Sequence, residues 1–291
     1  LNYFDKYRAL RFEPRIQYYQ QLTKNLSVQV LGEQKSQALS QIIDRQQDFL
    51  GIEKRRWTLA DGNTIPLQKS NQLSLGFTYK MRRWLFTVES FHKNVKGITS
   101  SGQGFQNQFE FTRESGKYQV FGTEFLVQKN FRKLFTWLSD SFNHNKYTFE
   151  TLNQRDFPNN YELSYAVSTA VIYDWNTVKI ALGSKWHSGK PITTPATNTI
   201  NVSNPAQPKI DYNEPNNSNL PDYFQLNFSA SKEWKLNRGF TLQTSVSVLN
   251  VLNKRNTIHR FYRINSAQDG IERVNTYSLE RTPNINVKLS F

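Results

Sequence analysis

The stretch Pro283-Asn284-Ile285-Asn286-Val287-Lys288-Leu289-Ser290-Phe291 decides the fold of this chain. Ile285, Val287, Leu289 and Phe291 alternate in it with polar residues, and the sequence ends on the aromatic one. A period of two places apolar side chains on one face of a β-strand and polar side chains on the other. This pattern is typical of the closing strand of a transmembrane β-barrel, in which the apolar face meets lipid and the polar face meets the lumen.

The same alternation recurs along the chain. It is clearest over 72–79, 161–173, 178–183, 224–231 and 240–248. The polar partners are mostly small and uncharged, which suits the wall of a lumen better than a soluble surface. The sequence therefore predicts an all-β fold, a transmembrane antiparallel β-barrel with about eleven strands. We expect these strands near 10–22, 25–34, 69–80, 83–96, 110–129, 133–146, 160–173, 177–187, 221–234, 239–266 and 271–291.

The composition of the 291 residues agrees with a barrel. Apolar residues make up 37% and aromatic residues 14%, as expected when each strand has one apolar face and aromatic girdles mark the membrane interfaces. No apolar run approaches the roughly 18 residues of a transmembrane helix. The absence of cysteine excludes disulfides and cysteine metal sites.

The formal net charge of +14 raises two hypotheses about partners. One is nucleic-acid binding; the other is attraction to anionic lipid headgroups or lipopolysaccharide phosphates. The basic clusters all fall where a short turn should join two strands, which favours lipid and no nucleic acid. These clusters are Lys80/Arg82/Arg83, Lys129/Arg132/Lys133 and Lys232/Lys235/Arg238.

Connections between the predicted strands alternate in length, as in outer-membrane barrels. Short ones lie near 23–25, 80–83, 130–133, 174–176 and 235–239, and long ones near 34–69, 97–110, 147–159 and 187–220. Within the first long connection, 36–50 is compatible with a short helix. The segment 250–282 predicts a hairpin above the membrane that turns at 267–270, where Asp-Gly is a hairpin signal.

Several motifs occur in an order that resembles a known family. They are Phe12-Glu13-Pro14-Arg15, Gly122-Thr123-Glu124, the run 246–254 and Arg281-Thr282-Pro283-Asn284. Together they resemble the C-terminal half of the barrel of TonB-dependent outer-membrane receptors of the Bacteroidota type. The resemblance covers nearly the whole chain.

The resemblance implies a barrel of twenty-two strands plugged by an N-terminal domain. We therefore expect residues 1–291 to be one unit, the last eleven strands, with the plug domain and the N-terminal barrel half outside this chain. The implied partners are that plug and barrel half, the TonB complex, the barrel-assembly machinery, outer-membrane lipid including lipopolysaccharide, and a surface lipoprotein that caps some barrels. The implied assembly signal is Ile285, Val287, Leu289 and Phe291.

The implied function is active transport across the bacterial outer membrane, energised through TonB. The nutrient would be scarce: a siderophore, cobalamin, an oligosaccharide or a peptide. One alternative is a self-contained barrel of about twelve strands, acting as a porin or an outer-membrane enzyme. Another is a soluble β-rich binding module, which the uncharged polar face argues against.

Residues with catalytic chemistry do not form a recognisable motif. His92, His144, His187 and His259 have no metal-ligand spacing. A carboxylate pair facing the lumen could act as an acid–base dyad, or such groups could pair with Lys179 and Lys185. The carboxylates concerned are Glu89, Glu110, Glu114, Glu124, Asp140 and Glu162. We expect no catalytic residue, no cofactor and no metal site, and therefore no enzyme.

Three aromatic residues in or beside long loops are candidate ligand contacts: Trp57, Trp186 and Tyr212. Aromatic side chains stack on sugars and planar ligands, which makes them common at binding sites. A girdle position at the membrane interface is the alternative for Trp186, and it is the expected position of Tyr223, a fourth aromatic residue beside a long loop.

Overall fold

The structure is a computed structural model that describes residues 1–7, 9–45, 53–62, 64–100, 114–152, 154–205, 208–236, 239–267 and 269–290. Besides a 3₁₀ turn at Asp5–Tyr7, its elements are strands. They are β1 (Asn2–Phe4), β2 (Ala9–Arg11), β3 (Arg15–Gln21), β4 (Leu26–Gln37), β5 (Leu39–Arg45), β6 (Glu53–Leu59), β7 (Gln68–Met81), β8 (Trp84–Thr99), β9 (Ser115–Asn130), β10 (Leu134–Thr148), β11 (Asp156–Pro158), β12 (Tyr165–Trp175), β13 (Val178–His187), β14 (Pro191–Ile192), β15 (Ser218–Asn219), β16 (Tyr223–Lys235), β17 (Thr241–Leu249), β18 (Thr257–Ile264), β19 (Ile271–Tyr277) and β20 (Thr282–Ser290).

Eleven of these strands form one continuous antiparallel path. Its order follows the chain: β3-β4-β7-β8-β9-β10-β12-β13-β16-β17-β20, with the short β11 added to β10. This confirms the predicted fold class and the count of about eleven strands. At the two ends of the path, β3 pairs with β4 and β20 pairs with β17, and the described residues supply no second neighbour for either strand.

Because neighbours along the chain are antiparallel neighbours in the sheet, their connections fall alternately at two opposite ends. The short turns at 22–25, 82–83, 131–133 and 176–177 share one end, where β16 also ends and β17 begins. The long connections share the other end and contain the hairpins β5–β6, β14–β15 and β18–β19. The predicted alternation of connection lengths, and the hairpin expected within 250–282, are confirmed.

The two faces of the sheet differ in chemistry. On β7, Leu73, Leu75 and Phe77 are 58%, 42% and 38% exposed, whereas the intervening Ser74 is buried. The register carries this division across the sheet, since residues paired in a ladder point the same way. We call the face of Leu75 the outer face and the face of Ser74 the inner face. The exposed apolar side chains of the outer face are those that a lipid bilayer would cover.

Two pairs of hydroxyl groups on the outer face are joined by hydrogen bonds. The Ser90 and Thr123 hydroxyl oxygens are 3.0 Å apart, and those of Thr169 and Ser184 are 2.8 Å apart. Each pair joins neighbouring strands. A hydrogen-bonded hydroxyl costs far less in an apolar environment than an unpaired one, so these polar residues are compatible with a lipid-facing surface.

Three sequence predictions about individual elements were wrong. The described part of 36–50 contains no helix, because β4 continues to Gln37 and β5 (Leu39–Arg45) pairs along its length with β6. Residues 46–50 lie outside the described residues. The strand expected over 239–266 is interrupted, since Asn250 and Asn253 adopt left-handed backbone angles, with φ of 50° and 53°. The strand expected over 271–291 is likewise divided into β19 and β20.

A small aromatic core lies on the long-loop side of β8 and β10. Tyr147, Phe149 and Phe157 are almost fully buried and contact Val95 and Ile98. The Phe149 and Phe157 rings stack with centroids 6.1 Å apart. Since Phe149 and Phe157 belong to the connection 149–164, this core holds that connection against the end of the sheet.

Candidate ligand-binding site between a long loop and the β18–β19 hairpin

The connection 188–222 is the long loop that contributes most to the candidate site. Its base is closed by Gly189 and Leu220, whose backbones approach so closely that a Cβ atom on Gly189 would lie 1.6 Å from the Leu220 carbonyl oxygen. The Leu220 amide donates to the Lys190 carbonyl at 2.8 Å. Glycine is therefore required at position 189 for the loop to start and finish side by side.

Asn216 ties this loop to the neighbouring long connection. Its side-chain amide donates to the Pro158 carbonyl and to Asn160 Oδ1, both at 2.7 Å. Its backbone amide donates to Thr193 Oγ1 at 3.0 Å. The residue is buried and has a φ of 56°, a conformation that asparagine tolerates better than most side chains. Two long connections are thus joined at one end of the sheet.

The β18–β19 hairpin is fixed beside the loop by two buried asparagines. Asn250 donates through Nδ2 to the carbonyls of Lys254 at 3.0 Å and Leu279 at 3.1 Å. Asn256 donates to the Phe224 carbonyl and accepts from the Phe224 amide, at 2.9 and 3.0 Å. Asn256 therefore pairs with β16 as another strand would, and it holds the start of β18 in place.

A cavity of about 210 Å³ lies where this hairpin meets the inner face of the sheet. Its walls include Lys185, His187, Lys190, Tyr223, Thr257 and Ile258. Lys185, His187 and Tyr223 lie on the inner face, because they alternate with the outward Trp186 and Phe224 in the ladder between β13 and β16. We call this cavity the basic pocket.

The walls of the basic pocket are held in fixed positions. The His187 and Tyr223 rings stack with centroids 4.8 Å apart and planes inclined by 5°. His187 Nδ1 lies 2.8 Å from the Ser188 carbonyl oxygen, and the Tyr223 hydroxyl donates to Gln225 Oε1. The Lys185 and Lys190 side chains have no hydrogen-bond or ion-pair partner among the described residues. The pocket therefore presents two uncompensated ammonium groups beside a rigid aromatic wall.

A second, more open cleft of about 380 Å³ lies further along the same hairpin. Thr194 and Asn198 line it from the loop, and Tyr262 and Arg273 line it from β18 and β19. The Tyr212 ring meets the Tyr262 ring edge to face, with centroids 6.5 Å apart. We call this opening the loop cleft.

The structure places the three predicted ligand contacts in different surroundings. Tyr212 adjoins the loop cleft through Tyr262. Trp57 is 62% exposed on β6, where it pairs with Gln41. Trp186 is on the outer face between Val167 and Phe224, a position that also fits the girdle alternative. The ligand roles of these residues stay predictions.

Sequence reasoning did not single out the residues of the basic pocket as a group. His187, Lys185 and Tyr223 were considered separately, and Lys190 was not considered. The girdle position expected for Tyr223 is wrong, because Tyr223 is on the inner face and lines the pocket. A partial signal exists in the alternation itself: Lys185 and His187 share one face of β13. Their proximity to the base of the hairpin, however, depends on the sheet order.

The carboxylates separate between the two faces. Glu89 and Glu124 lie directly opposite each other on the inner face, whereas Asp140 is on the outer face, between Phe125 and Val167. Glu162 Oε1 lies 3.3 Å from His144 Nδ1.

Neither inner-face lysine considered as a carboxylate partner pairs with Glu89 or Glu124. Lys179 pairs with Asp174 at 3.7 Å. Glu110 lies outside the described residues. Within the described ranges, no group of three His, Cys, Asp or Glu residues could hold a metal ion.

The predicted assembly signal is on the edge strand β20. Ile285, Val287 and Leu289 are 78%, 64% and 54% exposed, and all three are on the outer face, since Ile285 pairs with Val246 and Val287 with Thr244. Phe291 lies outside the described residues. Recognition of these residues during assembly stays a prediction.

Among the described residues, no helix is long and apolar enough to cross a membrane.

Comparison with known proteins decides the family. The model of the family described as TonB dependent receptor-like, beta-barrel matches residues 55–253, more than half of the chain. The chain belongs to the TonB-dependent receptor β-barrel family. Members of this family are outer-membrane receptors and transporters rather than enzymes. The predicted TonB-dependent receptor barrel, the outer-membrane localisation and the lack of enzyme activity agree with this assignment. No curated protein gave a significant match.

Solved structures of such receptors share the fold. The chain is 10% identical to the ferric citrate transporter FecA in its unliganded form, covering 96% of this chain and 38% of FecA, with a TM-score of 0.65. It is 14% identical to the ferric yersiniabactin uptake receptor FyuA from Yersinia pestis, covering 92% and 35%, with a TM-score of 0.60.

A third similar structure is the FrpB iron transporter from Neisseria meningitidis. The identity is 14%, the alignment covers 94% of this chain and 38% of FrpB, and the TM-score is 0.60. The chain thus spans little more than a third of the length of these receptors. At such identities the likeness concerns the fold alone.

Proposed function

We propose that this chain forms part of an active outer-membrane receptor that takes up a scarce nutrient, with energy supplied through TonB. The observation that carries the proposal is the pair of openings, the basic pocket and the loop cleft, at the long-loop end of a family-type sheet. In barrels of this kind the long loops are extracellular, so both openings would meet a ligand arriving from outside. A siderophore is the leading nutrient class; cobalamin, an oligosaccharide and a peptide are the others.

The names of structurally similar receptors support the leading class. FecA, FyuA and FrpB are named for ferric citrate, ferric yersiniabactin and iron. Because these similarities rest on low identity, the ligand of this protein is a proposal from fold and site together. We include Trp57, Trp186 and Tyr212 among the proposed ligand contacts, with Tyr212 placed best by its contact with Tyr262 beside the loop cleft.

We further propose that the chain is the C-terminal part of a larger barrel that contains a plug domain. The support is physical. β3 and β20 have one strand neighbour each among the described residues. A backbone amide or carbonyl group left without a hydrogen bond in lipid costs several kcal/mol. Further strands would satisfy both edges.

The order of the motifs Phe12–Arg15 to Arg281–Asn284 favours a Bacteroidota-type receptor.

The proposed partners follow from the same assignment. They are the plug and the N-terminal barrel half, the TonB complex, the barrel-assembly machinery and a surface lipoprotein above the long loops. The basic clusters around Arg82, Arg132 and Lys235 lie at the short-turn end. Short turns face the periplasm in such barrels, so these clusters would meet anionic phospholipid, and lipopolysaccharide would contact the opposite end.

Gene deletion in the source bacterium tests the transport proposal. The deletion strain should fail to grow when one nutrient class is supplied at limiting concentration, and deletion of TonB should give the same defect. Growth should return when the nutrient is supplied in excess, because passive entry then suffices. Uptake that persists without TonB would contradict the proposal and favour the porin alternative.

A further inference from the structure

We propose that the basic pocket is an anion subsite, which binds a carboxylate or another anionic oxygen group of the transported ligand between Lys185 and Lys190. This deepens the proposed function, on which it rests, by adding a chemical class of ligand.

The first argument is the charge of the pocket. Lys185 and Lys190 both line it and have no side-chain partner among the described residues. Asp222, which stands between the lining residues Pro221 and Tyr223, accepts a hydrogen bond from the Gly189 amide at 3.2 Å. Its remaining contact is through its backbone carbonyl, which accepts from Lys254 Nζ at 3.2 Å. Asp222 is thus engaged with the loop base, and the two lysines keep their charge available.

The second argument is preorganisation. The stacked pair His187 and Tyr223 forms one wall, and the closed base of the loop at Gly189 and Leu220 forms another. A site whose walls are already fixed loses little conformational entropy when a ligand group enters. Two lysine side chains that line one cavity offer ammonium donors for the several lone pairs of a carboxylate or phosphate.

The third argument is position. Lys179 lies on the same inner face of β13 but beside the short turn, and it is neutralised by Asp174 at 3.7 Å. Lys185 is six residues further along this strand, roughly 20 Å at the usual rise per residue. The unpaired lysine is therefore at the long-loop end and the paired lysine at the other. Arg273 in the loop cleft adds another cation further out on the hairpin.

The size of the pocket limits what it can hold. A volume of about 210 Å³ suits one charged group rather than a whole siderophore, since sites for drug-sized ligands occupy roughly 300–1,000 Å³. The rest of the ligand would extend toward the loop cleft, where Tyr262 and Tyr212 offer aromatic surface.

Labelling with pyridoxal 5′-phosphate tests the subsite without knowledge of the natural ligand. The probe carries a phosphate and an aldehyde: one lysine would bind the phosphate, and the other amine would condense with the aldehyde to give an imine and water. Borohydride then reduces the imine to a stable secondary amine, and mass spectrometry locates it. The experiment uses the whole receptor purified in detergent.

Lys185 or Lys190 should be labelled at least about tenfold faster than Lys179, because a bound phosphate raises the local concentration of aldehyde. Citrate should suppress this labelling, whereas sodium chloride at equal ionic strength should suppress it much less. Labelling no faster than at Lys179, or labelling that citrate does not suppress, would overturn the subsite. A plug carboxylate that already neutralises these lysines would also make labelling slow, and slow labelling for that reason would likewise overturn the anion subsite.

A paired variant connects the subsite to transport. Lys185→Gln combined with Lys190→Gln should weaken uptake of the cognate nutrient at limiting concentration by about tenfold or more, given two lost charge-assisted contacts. Lys179→Gln is the matched control and should leave uptake unchanged. Surface amounts and heat-modifiable migration must equal those of the wild type in both variants. If uptake requires TonB but the double variant transports normally, the anion subsite is wrong while the transport proposal stands.

Discussion

Gly189 is the residue on which the candidate site depends most directly. A Cβ atom at this position would overlap the Leu220 carbonyl oxygen at 1.6 Å. Rotating a side chain cannot relieve a contact with the backbone, so the two backbone segments at the base of the loop would have to move apart. The hydrogen bond between the Leu220 amide and the Lys190 carbonyl lies at the same base and would be strained with it.

Gly189→Ala should therefore open the base of the 188–222 loop, at a cost of about 1–3 kcal/mol, as for other overpacked sites. The measurement is the rate at which a protease cleaves this loop in the folded receptor, together with the Kd for the nutrient once it is known. Gly183→Ala is the control, because its Cβ atom would meet the Thr169 carbonyl oxygen at an ordinary 3.6 Å. Equal cleavage rates in the two variants would contradict this role for Gly189.

Residue type and alternation predicted the side of the sheet on which a residue lies, but not the neighbours it meets there. Trp186 illustrates both parts. Its position in an alternating strand is visible in the sequence, and the structure places it on the outer face with Phe224. Lys185, one residue earlier, belongs to the inner face and lines a pocket with Ile258. That contact joins residues far apart in the chain, and no local pattern encodes it.

At the scale of elements, the β18–β19 hairpin depends on the turn built around Asn250. This residue is 1% exposed and has a φ of 50°. Besides its two donated bonds, its Oδ1 accepts from the Lys254 amide at 3.1 Å, and its backbone amide donates to Asn227 Oδ1 at 3.0 Å. Asn250 belongs to the run 246–254 that carries part of the family resemblance, and this bonding accounts for an asparagine there.

Asn250→Ala should lower the free energy of unfolding by about 2–4 kcal/mol, since three side-chain hydrogen bonds of about 1 kcal/mol each are lost. Denaturant unfolding of the receptor in detergent micelles measures this. Asn176→Ala provides a comparison: Asn176 has a φ of 56° but lies exposed in a short turn, so only backbone strain of about 1 kcal/mol should appear. A loss at Asn250 no larger than that at Asn176 would exclude the side-chain bonds as the cause.

Elements with a strong local signal were predicted well, and elements held by distant contacts were not. The turn of β18–β19 was predicted from Asp-Gly, and Asn265 fixes it by donating to Asp269 Oδ1 at 2.7 Å. The segment Leu39–Arg45 has no clear period, and its strand character comes from pairing with β6. The break after Leu249 depends on backbone angles at asparagines, a conformation that these residues permit but do not require.

At the scale of the molecule, the described sheet is open. Its eleven-strand path ends at β3 and β20, and each end presents backbone donors and acceptors on one side. In water such edges attract other strands, and in lipid they are costly. The curvature needed for a closed barrel of family size would require the strands that we propose in the rest of the receptor.

The isolated 291-residue chain should therefore fail to form a stable barrel. Refolded in detergent, it should migrate in the same position on a gel with and without boiling, because no compact heat-sensitive form exists. The whole receptor should show the heat-dependent shift of a closed barrel. A clear shift for the isolated chain would instead support the self-contained barrel of about twelve strands.

The sequence by itself determined the strand class, the approximate number of strands and the end of the sheet at which the long loops gather. These properties follow from a period of two and from turn residues, which act over a few neighbouring positions. Only the tertiary structure decided that Lys185, Lys190 and Tyr223 line one pocket beside the β18–β19 hairpin. That arrangement depends on the pairing of β13 with β16 across a long loop and on the asparagine bonds that hold the hairpin. Such contacts depend on distance in space, which a one-dimensional pattern does not record.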